Sequence, residues 1–182
     1  MKTVFFVNGH PRAGKDTTID FMRQRLGAAG IPTGAFSSID PVRAALSRMR
    51  INLDAKTEAD RKLLATVGDA LEEHSHCRSN WCVWNALDFF DRHDAGVFFL
   101  HEREPELIWR ICQRLGGIAW NTVFVDSDRA ERVTSNAADA GVASMCYDYT
   151  LLNNGTLDDL SRQVDELLEK SLPRALVQHS VE

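Results

Sequence analysis

An apolar run, TVFFVN (3–8), passes without interruption into GHPRAGKDTTIDFM (9–22). A strand-length run, a glycine-rich turn and a helical pattern in direct succession predict a buried strand whose carboxyl end carries a loop and then a helix. Gly9, four residues, Gly14 and Lys15 have the spacing of a phosphate-binding loop, and strand before and helix after are the context that spacing requires. The glycines, with Arg12 and Ala13 between them, let backbone N–H groups turn inward around phosphate oxygens. The helix N-terminus adds the positive end of its dipole, and Lys15 adds a mobile charge for a transferred phosphoryl group. The residue after the lysine is Asp16, where a hydroxyl is needed to hold Mg²⁺. Thr17, one residue later on the same turn, supplies it, with Asp16 assisting through water.

Four further strand-length runs follow: TGAFSS (33–38), GVFFL (96–100), NTVFVD (121–126) and YTLLN (149–153). Alternation with helical patterns predicts an α/β fold with a five-stranded parallel sheet. Ile19, Phe21, Met22 and Leu26 mark the first helix, closed by AAGIPTG. Residues 40–93 read as a helical insertion after the second strand. In it PVRAALSRMR is one helix, EADRKLLATVGDALEEH another with Leu63, Leu64, Val67 and Leu71 inward, and WCVWNALDFFDRH a third buried on its Trp81, Trp84, Leu87 and Phe90 side. PELIWRICQRL (105–115) is stopped by Gly116 and Gly117. LDDLSRQVDELLEKSL is capped by Thr156 with Asp159 three residues on. The organisation expected is a single domain over 1–172 with a frayed tail over 173–182.

Hydrophobic residues make up 44% of the 182-residue chain and charged residues 26%, the balance of a globular protein with a real core. A net charge of −5 argues against indiscriminate polyanion binding while leaving room for a local basic cleft. No apolar run approaches the roughly 20 residues of a membrane span, and the amino-terminal run is too short for a signal peptide. Cys77, Cys82, Cys112 and Cys146 have no framework spacing, so reduced thiols and a cytoplasmic location are expected. HSHC (74–77) with Cys82 matches no pair of zinc-ligand couples and is set aside. Trp81, Trp84 and Trp109 stand at helical positions and read as core.

The GKDT form of the loop resembles that of a subset of P-loop kinases, notably phage deoxynucleoside monophosphate kinases. SSIDPVRAAL, DRKLL, FFLHEREPELI, SNAADAGVASMCYDY and NNGTLDDL extend the resemblance to a group of short phage P-loop kinases, the 5-hydroxymethyluracil DNA kinases, over most of the chain to about residue 170. That resemblance implies a P-loop kinase fold with the first strand central and the loop at the carboxyl edge. It implies ATP and Mg²⁺ as cofactors. The acceptor it implies is the base hydroxymethyl group of 5-hydroxymethyluracil in DNA, the alternative being a free deoxynucleoside monophosphate.

An acceptor hydroxyl profits from a carboxylate that takes its proton, whereas an ionised phosphate acceptor needs arginines and no base. Asp40, directly after the second strand at the edge where such sheets bind substrates, is the candidate base. In SIDP it is equally placed to cap a helix, and the two roles are compatible. Arg43 in the same insertion would hold the acceptor. At the end of the third strand Arg103 would project into the cleft, with Glu102 positioned to support Mg²⁺ through water. Arg129 and Arg132, in SDRAERVTSNAAD after the fourth strand, fall where such kinases place a lid over ATP. Asn154 of NNGT falls where the adenine is bordered.

Overall fold

A computed structural model of the chain describes residues 1–55, 57–130, 142 and 145–172. Its strands are β1 (Lys2–Asn8), β2 (Thr33–Ser37), β3 (Gly96–His101), β4 (Ala119–Asp126) and β5 (Tyr149–Leu152). They form one parallel sheet in the order β2-β3-β1-β4-β5, with β1 central as the resemblance implies. The helices are α1 (Lys15–Ala28), α2 (Asp40–Arg48), α3 (Glu58–Ser75), α4 (Cys77–Arg92), α5 (Pro105–Arg114) and α6 (Leu157–Ser171). The tail assigned to 173–182 and the candidate lid residue Arg132 lie outside the described residues.

Both faces of the sheet are covered, which is why β1 and β3 read as unbroken apolar runs. Phe5 and Val7 face α1 and α6 in a cluster with Met22, Phe99, Val125 and Leu160. Val4 and Phe6 point the other way, onto Ala86, Phe90 and Leu100 with Ile108 and Ile111 of α5. A smaller cluster, Val42, Leu46, Leu53 and Leu64, holds α2 to α3. No described helix is long and apolar enough to cross a membrane.

Two helical faces differ from expectation. α4 buries Cys82, Val83, Ala86, Phe89 and Phe90, while Trp84 is 71% exposed and Leu87 40%. A side chain advances about 100° per residue around a helix, so a strict spacing of three slips about 60° per step, and Trp81 and Phe90 end on opposite sides. Trp81 is half-buried against the α2–α3 cluster instead. Trp109 is 64% exposed, because α5 turns Leu107, Ile108 and Ile111 inward.

β5 is an edge strand, and α6 reaches over its outer rim. The Gln163 side-chain amide accepts from the Leu152 N–H at 2.8 Å and donates to the Leu152 carbonyl at 2.9 Å, satisfying both as a neighbouring peptide would. α6 opens on the capping box read from the sequence, with Thr156 Oγ1 accepting from the Asp159 N–H and the Asp159 carboxylate from the Thr156 N–H.

Candidate active site

Because every strand is parallel, β1, β3, β4 and β5 deliver their carboxyl ends to one edge, and the glycine loop sits there between β1 and α1. Its geometry demands the two glycines. Gly9 has φ 151°, and a Cβ on it would drive into the Val125 carbonyl of β4. Gly14 has φ 100° and is the N-cap of α1, and a Cβ there would strike the Asn153 amide. Gly14 brings no side-chain acceptor to the first turn of α1, so the helix presents its N-terminal N–H groups as an anion site. Arg12, also in the loop, takes a left-handed backbone with φ 63°. The Lys15 ammonium folds back over the loop, donating to the Gly9 and His10 carbonyls at 2.8 Å each.

No protein-family model matches the chain, and no curated protein matches its sequence. Among solved structures, the Mycobacterium tuberculosis APS kinase CysC in complex with AMPPNP and APS superposes with a TM-score of 0.52 at 18% identity, covering 92% of this chain and 97% of that one. A cysteine-to-alanine mutant of the same kinase gives 0.50 at 19% identity, over 92% and 96%. The fold is that of a P-loop kinase. The sheet order, the helices between β2 and β3, and the loop at the carboxyl edge belong to that architecture.

His101 lies at the carboxyl edge of the sheet. It ends β3, paired in register with Ser37 of β2, and is half-buried. Burial holds its imidazole below the ordinary histidine pKa. The Asp16 and Asp40 carboxylates pull it upward, while Lys15 and Arg103 push it down. One side chain thus senses charges from the loop helix, from the start of α2 and from the turn after β3. Asp40 is exposed and is the first residue of α2. The N-cap is Ile39, which offers no side-chain bond, so the capping role read for Asp40 is corrected and its carboxylate is not spent on the helix end.

Glu102 has other partners than the magnesium expected of it. It is 2% exposed and points away from His101, as strand alternation dictates. Its carboxylate accepts from Arg78 of α4 at 3.1 and 3.2 Å and from the backbone N–H groups of Arg103 at 2.7 Å and Glu104 at 3.0 Å. It therefore shapes the turn that carries Arg103. For Mg²⁺ the fitting donors are on the first turn of α1, where Thr18 is excluded because it is fully buried, its hydroxyl turned to the Gly14 carbonyl at 3.0 Å. The Thr17 hydroxyl and Asp16 carboxylate remain, hard oxygen donors of the kind that ion takes.

Asn153 is the site residue that sequence reading passed over. Its side-chain amide donates to the Ala13 carbonyl at 2.9 Å, bracing the loop from β5. Alternation from buried Leu151 points Asn153, not Asn154, toward the core. Asn154 instead joins the turns after β4 and β5, its Oδ1 accepting from the Asp128 N–H and its carbonyl from Arg129 Nη2. Arg43 lies one turn beyond Asp40 and lines a pocket at the far end of α2. A larger cleft of about 590 Å³, between α5, the start of β4 and residues 145–148, contains none of the loop residues.

Proposed function

We propose that the chain is an ATP- and Mg²⁺-dependent kinase that phosphorylates a hydroxyl group, and that its acceptor is the hydroxymethyl group of 5-hydroxymethyluracil in DNA. The observation that carries the kinase reading is the phosphate loop at the carboxyl edge of the sheet, with Gly9 and Gly14 in conformations a Cβ would forbid and Lys15 folded over it at the start of α1. The similar APS kinase, which was solved with AMPPNP and APS, supports nucleotide binding at such a loop. The DNA acceptor rests on the sequence resemblance and on Asp40, a carboxylate with no use in transfer to an already ionised phosphate.

The loop N–H groups and Lys15 hold the β- and γ-phosphates, and Lys15 exchanges its two carbonyl contacts for charge-assisted ones. The Thr17 hydroxyl and Asp16 carboxylate would hold Mg²⁺, which would supply neutralisation of negative charge at the phosphates. Asp40 accepts the proton of the acceptor hydroxyl as its oxygen bonds to γ-phosphorus and the bond to the β–γ bridging oxygen breaks. The products are a phosphate monoester, ADP and a proton. Arg103, fixed by the Glu102 anchor on its own N–H, faces the transferred group. Arg129 lies on the ATP side and Arg43 on the acceptor side.

The test is γ-labelled ATP with Mg²⁺, offered plain DNA, DNA containing 5-hydroxymethyluracil, and free deoxynucleoside monophosphates. Label is expected only on the modified DNA, and Asp40→Asn should slow transfer about 10²–10⁴-fold. Label on free monophosphates alone would replace the DNA acceptor with the nucleotide one. A folded Lys15→Ala protein with full activity would remove the assignment from this loop.

A further inference from the structure

Several arginines of this chain are committed to carboxylates within the fold. Arg25, Arg78, Arg92, Arg110 and Arg162 each hold a carboxylate. Arg43 and Arg50 form no ion pair among the described residues. Both line one pocket of about 280 Å³ at the far end of α2, with Ser47 and Asn52 as hydrogen-bonding neighbours. Asp54 shares the wall without pairing to either guanidinium, and its backbone N–H is held by Asn52 Oδ1 at 2.8 Å.

The backbone at Arg50 supplies a second, independent observation. α2 closes on Met49, and the Ile51 N–H bonds the Leu46 carbonyl at 3.1 Å while the Arg50 N–H bonds that of Ser47 at 2.9 Å. This is the paired closure that places the residue after the cap in the left-handed region, where glycine is favoured. Arg50 occupies it with φ 64°. Its side chain is exposed and has no ion-pair or hydrogen-bond partner among the described residues.

We propose that this pocket binds a phosphate ester of the acceptor, remote from the hydroxyl being phosphorylated and separate from the phosphate loop. The proposal rests on the kinase reading and deepens it by naming where the phosphate carried by the acceptor, a nucleic-acid strand or a nucleotide, is held. Asp40, Arg43 and Ser47 are spaced three and four apart, so they run along one flank of α2 from the reacting centre toward the pocket, and Arg50 lines the same pocket from the turn that closes the helix. Arg43 and Arg50 offer planar forks suited to phosphate oxygens. In a chain of net charge −5 this cationic pair is a local feature, not a consequence of overall composition.

The test is equilibrium binding without ATP, using a labelled single-stranded oligothymidylate and, separately, thymidine 5′-monophosphate. Arg50→Gly and Arg43→Gln should each weaken binding of a phosphate-bearing probe about tenfold, the scale of one lost charge-assisted contact. On the oligonucleotide each should also lower the salt slope by about 0.7. Arg50→Gly should at the same time raise Tm by about 2–4 °C, since glycine relieves the left-handed strain. Loss on both probes, or on either alone, supports the site and names the source of the phosphate. Wild-type affinity for both probes in both variants overturns it, and so does a fall in Tm for Arg50→Gly, which would make the side chain structural. Binding that obeys these expectations without transfer to any acceptor would overturn the kinase reading and leave the pocket standing.

Discussion

At the scale of the residue, Glu72 shows how a carboxylate is kept charged in the interior. Burial alone would raise its pKa, but the Ser79 N–H, the Ser79 hydroxyl and Arg110 all bind the ionised form, and the net position is below the ordinary 4.5. A lowered folded-state pKa means that the carboxylate's contribution is present above about pH 4.5 and fades as pH falls through the folded value. Glu72→Gln should therefore cost about 1.5–3 kcal/mol near neutral pH. The gap from wild type should close in acid, as read by urea unfolding at several pH values. An undiminished gap at low pH would mean that packing and not charge is at stake. Glu72 carries no signal in the sequence, because its partners stand seven and 38 residues away. The loop glycines did carry one, since their spacing is local.

Among the elements, strands and helix ends were legible and side-chain faces less so. TVFFVN and GVFFL are apolar on both faces because helices cover both, and Thr156 with Asp159 announces α6 within four residues. The α4 face was misread because its aromatic residues outnumber the small ones that make the contact, Cys82 and Ala86. The tie between α4 and the active edge was invisible for a different reason. Arg78 and Glu102 stand 24 residues apart, and only folding shows that one guanidinium, 8% exposed, gathers Asp69, Glu102 and Glu104. Arg78→Met would leave the buried Glu102 carboxylate and the half-buried Glu104 without their cation and should cost about 3–5 kcal/mol, measured by denaturant unfolding. A loss under about 1 kcal/mol would mean that water replaces the guanidinium there.

For the whole molecule, an open sheet has two borders, and each offers backbone groups to any passing strand. On the β5 side Gln163 occupies those groups at Leu152 with a side chain, so the border ends in an amide that cannot propagate. Such a residue has little to do with catalysis and much to do with living at high concentration. Gln163→Ala should leave Tm within a few degrees of wild type, since one neutral hydrogen bond is worth about 1 kcal/mol. It should nonetheless shift the protein toward concentration-dependent oligomers in light scattering, while unchanged scattering would mean that the rim is protected by other means. The last consequence of a single glutamine laid along a strand is thus colloidal: it sets how crowded a solution of this protein can become before one sheet continues into the next.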